Sequence, residues 1–451
     1  MKRLDHDRHT IVDRIAVPAL QAIDAALPGR VVMTSEAPAA AGDVDFLCRA
    51  AEREAIATVL VARGFLPRRS LAWVEQWAYF GDGHGYRIDI NKIERYGLPP
   101  TEVERFYHRA IPFEPYGKIC RPAPVDVVLL NARRLARARR LPDKRYARVR
   151  EALAEQENLW DVAYSLAPLW GLEAGLALLE KSLARGTRIR RTAQLAASVS
   201  LARAEGSHIV IRSAWARVRA GARRRGAVVA FSGLDGSGKS TQVRLLMAAL
   251  SDVGVGASSY RRPLVASRPA QALRRIAKRV ISAGHAPIQT AVDSAAPARR
   301  WDPNPITKRL RERSTIATRM WATFVALSIA GHYRLAALRG SKARGVVIFD
   351  RYQLDAIAQL DFLYGRGDQL AFERWLVRFL TARPSQAYLL DVPAERAYKR
   401  KELQYDRSEL TQQAELLRRH AVGLGVTVLD GERAPHDLGE HIAREVWSGL
   451  G

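Results

Sequence analysis

Apolar and polar positions along the chain change their spacing at about residues 125 and 226. Up to Pro124, short strand-type runs alternate with helical pattern. Arg30-Val-Val-Met-Thr34 and Asp43-Val-Asp-Phe-Leu-Cys48 read as strands, and Tyr86-Arg-Ile-Asp-Ile90 as another. Ala51 to Arg63 carries apolar residues at helical spacing and stops at Gly64, a residue suited to closing a helix. From Val127 to about Arg225 the pattern is helical throughout, broken only at Pro142, Pro168 and a few glycines. It ends in Arg223-Arg224-Arg225-Gly226, the composition of a linker. The third region opens on Ala227-Val-Val-Ala-Phe231, an apolar run of the kind buried on both faces. Similar runs follow at Val346-Val-Ile-Phe349, Ala387-Tyr-Leu-Leu390 and Val426-Thr-Val-Leu429, with long helical stretches between them. Parallel α/β wiring requires that spacing.

With 451 residues the chain is long enough for two or three domains, each with its own core. Its two cysteines, Cys48 and Cys120, provide neither a disulfide framework nor a zinc cage. The longest apolar candidate, Met320 to Gly331, falls short of the ~20 residues a membrane span needs. The N-terminus mixes acids with bases and has no apolar signal core, so a soluble, cytoplasmic protein is expected. Neither His84, between two glycines, nor His332 has a partner at metal-ligand spacing.

Charge is unevenly placed. Lys+Arg total 72 against 46 Asp+Glu, for a net +26, and only 11 of the basic residues are lysine. Residues 1–125 contribute +1, residues 126–225 contribute +12, and the stretch 261–344 alone contributes +15. The two basic blocks, 126–225 and 261–344, are where an anionic surface or ligand would be met. Within the second, Leu273, Ile276, Ala277, Val280 and Ile281 share one side of an expected helix decorated by arginine and lysine. That pattern suits either an ordinary surface helix or one resting on an anionic surface. No nucleic-acid recognition motif is present.

The sharpest chemical signal is Gly233-Leu-Asp-Gly-Ser-Gly-Lys239-Ser240, which fits G-x-x-x-x-G-K-[ST] after an apolar strand and before a helix, Thr241 to Leu250. Glycines in such a loop let successive backbone N–H groups turn inward on an anion, and the helix N-terminus adds partial positive charge. Gly233, Asp235, Gly236, Ser237, Gly238, Lys239, Ser240 and Thr241 are therefore the expected ATP-binding residues. Lys239 would reach the β- and γ-phosphates, and the Ser240 hydroxyl would ligate Mg²⁺. Downstream, Asp350 ends the strand Val346-Val-Ile-Phe-Asp350, where α/β sheets place ligand groups. It can hold the metal, accept a proton, or simply cap the following helix. Arg351 is placed to clamp an acceptor phosphate.

Taken together, Phe231-Ser-Gly-Leu-Asp-Gly-Ser-Gly-Lys-Ser-Thr-Gln242, Asp350-Arg-Tyr352, Tyr388-Leu-Leu-Asp-Val-Pro393 and Val428-Leu-Asp-Gly431 resemble the thymidylate kinase family over about 226–451. The resemblance implies a P-loop kinase fold with five parallel strands and transfer of the ATP γ-phosphoryl group to a nucleoside monophosphate or related acceptor. It also implies a basic lid after the Leu-Asp-x-Pro strand, where Arg396, Lys399, Arg400, Lys401 and Arg407 lie. Arg400 and Arg407 are the expected stabilisers of transferring charge. Gly236 stands where some members carry a loop arginine. Where the family reads the thymine side, this chain has Asp355 and Ala358-Gln359-Leu360. Its nearest match to the family's Arg-Glu-Pro is Arg261-Arg262-Pro263, so the acceptor is left open.

The N-terminal region carries Asp43 and Asp45 two apart on one strand, hence on one face, and Asp89 on a later strand. Three convergent carboxylates bind divalent metal in nucleotidyl transfer. Over roughly 30–125 the pattern resembles the nucleotidyltransferase superfamily, with Thr34-Ser35 in place of its Gly-Ser. The expected architecture is thus α/β. A small α+β nucleotidyltransferase-like domain (1–125), catalytic or degenerate, precedes a basic helical connector (126–225) and a P-loop kinase domain (226–451). An Mg²⁺-ATP-dependent kinase is the leading expectation, and a homodimer is compatible with it. The alternatives are a nucleotidyltransferase with an accessory nucleotide-binding domain and an ATP-switched binding protein on an anionic partner.

Overall fold

In a computed structural model of the chain, the described residues are 12–34, 43–71, 73–81, 83–113, 119–138, 140–185, 189–206, 209, 211, 215, 227–261, 315–342, 345–364, 367–400 and 406–450. The side chains of Asp43 and a few other residues at the margins of these segments are outside the description. So are the expected linker 223–226, the helix expected over Pro269–Ala283, and Lys401.

The N-terminal strands are β1 (Val32–Met33), β2 (Asp43–Cys48), β3 (Leu66–Leu71), β4 (Val74–Gly81), β5 (His84–Lys92), β6 (Ile111–Pro112) and β7 (Cys120–Arg121). They form one mixed sheet in the order β3-β4-β5-β2-β1-β7-β6. Strands β2 and β5 run parallel, with Asp43 opposite Arg87 and Asp45 opposite Asp89. Because side chains alternate, Val44, Phe46, Ile88 and Ile90 enter a core with α1 (Val17–Ala26) and α2 (Arg53–Ala62). Helix α3 (Pro100–Arg109) leads to β6. The helical block follows as α4 (Pro124–Arg137), α5 (Asp143–Glu155), α6 (Leu159–Trp170), α7 (Glu173–Arg185) and α8 (Arg191–Glu205).

This block is not a free-standing spacer. Val32 and Leu47 of the sheet and Phe106 of α3 share one buried cluster with Leu129, Val149, Ala163, Leu176 and Leu201 of α4–α8. The expected helix over Ala51–Arg63 starts as a 3-10 turn (Ala50–Glu52) before α2, and β1 is shorter than the run Arg30–Thr34. Strands β3 and β4 were not anticipated. In β4, Glu75, Trp77, Ala78 and Phe80 are buried, so the strand is covered on both faces although Val74 is followed by the polar pair Glu75-Gln76.

The C-terminal strands are β8 (Val228–Gly233), β9 (Ala257–Arg261), β10 (Val346–Asp350), β11 (Gln386–Asp391) and β12 (Thr427–Asp430). They form a five-stranded, wholly parallel sheet in the order β12-β11-β8-β10-β9. Helices α9 (Lys239–Asp252) and α15 (Pro435–Gly449) cover one face, burying Val243, Leu246, Ile442 and Trp447. On the other face lie α10 (Thr315–Lys342), α11 (Gln353–Tyr364) and α12 (Ala371–Leu380), with α13 (Ala394–Arg400) and α14 (Arg407–Leu424) alongside α11. No helix among the described residues is long and apolar enough to cross a membrane.

Ala78 and Phe80 of β4 belong to the same buried cluster as α9 and α15. The Trp447 indole N–H donates to the Leu66 carbonyl at 3.0 Å, and Arg87 Nη1 donates to the Val253 carbonyl at 2.7 Å. The outer strands of the first sheet are therefore part of the packing of the second.

Candidate functional site

In the parallel sheet, neighbouring connections diverge from β8, since β10 and β9 lie on one side and β11 and β12 on the other. The crevice beyond the carboxyl ends of strands at such a switch point is where α/β sheets hold ligands. The loop 234–238 leaves β8 here and enters α9.

Backbone geometry requires the glycines. Gly233 has φ +146°, and a Cβ there would stand 2.7 Å from both the Leu390 carbonyl and Ser237 Oγ. Gly236 has φ +91°, and its Cβ would meet the Ala397 carbonyl at 3.1 Å. Helix α13 thus lies over the loop. Arg400 Nη1 donates to the Gly236 carbonyl at 2.9 Å, from the lid side.

Lys239 is buried at the first position of α9. Its ammonium donates to the Gly233 and Leu234 carbonyls at 2.8 and 2.6 Å. Burial, and then the Arg351 charge, push it down to about 8; Asp355, Asp235 and Asp350 act the other way. The adjacent Ser240 hydroxyl donates to Asp350 Oδ2 at 2.7 Å. Asp350 ends β10 in register with Phe231 of β8 and Arg261 of β9. Arg261 Nε lies 3.6 Å from the same carboxylate oxygen.

Arg351 differs from expectation in its engagement. Its φ is +84°, a left-handed conformation costly for a residue with a Cβ, of order 1 kcal/mol. Its amide donates to the Phe231 carbonyl at 2.9 Å, and its guanidinium pairs with Asp235 of the loop. The arginine expected to hold an acceptor is therefore tied to the loop that leads into Lys239. Asp355, which sequence reasoning treated only as a departure from the family, is buried. It accepts from the Tyr352 amide at 3.3 Å and sits near enough to Lys239 and Arg351 to feel both charges. Burial raises its pKa, and Arg351 and Lys239 oppose that rise. An acid in the first turn of a helix five residues after Asp350 was the available signal.

Arg407 pairs with exposed Glu395 at 2.6 Å, and Arg396 with Glu432 at 2.7 Å. Of the two expected charge stabilisers, only Arg400 has a described bond to the loop.

In the N-terminal sheet, Asp45 and Asp89 are adjacent across β2 and β5. Asp89 is ion-paired to Arg87 at 3.1 Å and accepts from Gln76 Nε2 at 3.5 Å. Among the described residues, no three His, Cys, Asp or Glu side chains are grouped to hold a metal ion. The side chain of Asp43, third member of the expected set, lies outside them.

Chemically, the C-terminal crevice brings together a glycine loop, a buried ammonium, a hydroxyl and a carboxylate at the ends of parallel strands. Oxygen donors such as Ser240 and Asp350 suit a hard divalent cation. No protein-family model matches the chain, and a search of curated proteins returns no match.

Proposed function

We propose that the chain is an ATP-dependent kinase that transfers a phosphoryl group to a small phosphorylated acceptor of the nucleoside monophosphate class. The observation that supports it most is the Ser240–Asp350 hydrogen bond beside buried Lys239, under a loop in which Gly233 leaves no room for a Cβ. In this reading the loop amides cradle the ATP phosphates, and Lys239 exchanges its two carbonyl partners for phosphate oxygens. Ser240 and Asp350 would hold Mg²⁺, which neutralises developing phosphate charge when bound. Arg351, braced on Asp235, adds positive charge at the acceptor side, and Arg400 does so from the lid.

The test is an acceptor screen with labelled ATP over dTMP, the other nucleoside monophosphates and phosphorylated sugars. Transfer to one class, lost in Lys239→Ala, supports the reading. Nucleotide binding without transfer to any acceptor would replace it with an ATP-switched binding protein.

A further inference from the structure

Helix α12 (Ala371–Leu380) carries apolar residues on two sides. Its inner side buries Glu373, Leu376 and Val377, the last in a cluster shared with α10, α11 and the parallel sheet. Phe372, Trp375 and Phe379 stand three and four positions apart, so they share the outward face. They are 51%, 52% and 66% exposed. Their rings form one row: Phe372 stacks on Trp375 with centroids 6.0 Å apart, and Trp375 on Phe379 at 5.0 Å. Single exposed apolar residues are ordinary on a soluble surface, whereas a contiguous aromatic row marks a place where something docks.

Charge decides what docks. Helix α10 (Thr315–Lys342) packs against α12, with Thr323 Oγ1 donating to Glu373 Oε1 at 2.8 Å. Glu373 is the only acid in the sequence of these two helices, and it is 1% exposed. Their outward charge is therefore cationic. Arg378 is exposed on α12 beside Phe379, Arg319, Arg334 and Arg339 are exposed on α10, and Arg383 is exposed just after α12. A second copy of the chain laid on this face by twofold symmetry would set arginine against arginine, which is unfavourable. A surface of anionic lipid headgroups reverses that sign. Aromatic rings favour the boundary between headgroups and acyl chains, and arginine reaches phosphate while its stem lies along apolar groups.

We propose that the outward face of α12 docks on an anionic membrane, with Phe372, Trp375 and Phe379 entering the headgroup boundary and Arg378 and Arg383 meeting lipid phosphate. Because the inner side of α12 stays in the fold, only these side chains enter. Attachment is therefore shallow and needs the charge as well as the rings. The proposal is independent of the kinase reading, since the row lies outside the loop 233–240, Asp350 and Arg351.

The experiment is co-sedimentation of the full chain with vesicles of phosphatidylcholine containing about one-third phosphatidylserine, compared with phosphatidylcholine alone. Partitioning is expected to be at least about tenfold stronger on the anionic vesicles and to weaken as salt rises. Trp375→Gln and Phe379→Gln preserve the charge and should each weaken it about tenfold. Arg378→Ala should weaken it about fivefold, and on the anionic vesicles only. Arg150→Ala, which removes an exposed arginine from α5, should leave it unchanged. Melting curves check the fold of each variant; should one aromatic variant fail to fold, the other must still show its loss. Sedimentation velocity without lipid reads the oligomeric state alongside. No partitioning, equal partitioning onto both kinds of vesicle, or indifference to the aromatic substitutions would overturn the proposal. So would a dimer that these substitutions dissociate, which would assign the row to contact between copies.

Discussion

Ser240 Oγ donates to Asp350 Oδ2 at 2.7 Å, joining the first turn of α9 to the carboxyl end of β10 across 110 positions of sequence. If the two oxygens act as one metal-binding unit, their effects on turnover are not additive. Ser240→Ala and Asp350→Asn are each expected to lower ATP turnover by about 10²-fold or more, and the double variant to fall little further. Steady-state kinetics on all three, at saturating Mg²⁺, measures the coupling. Additive losses would show that the residues work separately.

Lys239 supplies a pH signature. Its folded pKa, about 8, lies below the ordinary 10.5, so the folded protein binds fewer protons than the unfolded chain between those values. The penalty for burying the charge is present in full below about pH 8 and is relieved as pH rises toward 10.5. Relative to Lys239→Met, the parent should therefore gain about 3 kcal/mol of stability across that window. Urea denaturation of both proteins at pH 7.5 and 10.5 reads the difference, and a constant offset would contradict the burial argument. By the same linkage, ATP affinity should decline above pH 8, because the neutral amine must first take up a proton to meet phosphate.

Asp252, at the end of the helix that follows the glycine loop, accepts from the Gly85 amide at 3.3 Å and lies 3.1 Å from His84 Nδ1. Asp252→Ala is expected to destabilise the protein by about 1–3 kcal/mol through unpaired groups at this junction. Phe80→Ala, buried in the cluster shared with α9 and α15, should cost about 3–5 kcal/mol. Because that cluster draws on both sheets, thermal unfolding of the parent should proceed with the two sheets melting together. Calorimetry resolving two well-separated transitions would contradict this.

Arg109 sits between two buried carboxylates, donating to Glu102 Oε1 at 2.7 Å and to Asp126 at 2.8 and 3.2 Å. Burial pushes Asp126 up to about 6, and Arg109 opposes the rise. A carboxyl raised above its ordinary 3.8 binds its proton more tightly when folded, so its contribution to stability falls as pH rises from about 4 to 6. Arg109→Met leaves both acids uncompensated and should cost about 3–5 kcal/mol at pH 7. The loss should shrink at pH 4.5, where Asp126 is protonated. Denaturant titration at the two pH values tests the sign.

Elements that short-range pattern encodes are legible in the sequence. The apolar runs at 227–231, 346–349 and 387–390 each became a strand of the parallel sheet, because a strand buried in the middle of a sheet needs no partner information to look apolar, and the run at 426–429 became the edge strand β12, exposed at Thr427 and Val428. Strands β3 and β4 were illegible for the opposite reason. Leu66-Pro-Arg-Arg and Val74-Glu-Gln-Trp owe their placement to partners distant in sequence: Arg53 and Lys92 pair with Glu75, and Trp447 bonds the Leu66 carbonyl. Asp355 was visible as a residue but not as a buried neighbour of Lys239.

By itself, the sequence determined the glycine loop, the strand–loop–helix unit around it and the Asp350 position at a strand end, since each depends on backbone conformation and short-range pattern. Tertiary structure alone decided which cations are engaged: Arg351 with Asp235, Arg400 with the Gly236 carbonyl, Arg407 away with Glu395. It also gathered the arginines of α4 and α5 into one cleft beside the first sheet. A charge count gives the sum of the charges, whereas their chemistry depends on distance and burial, which only folding sets.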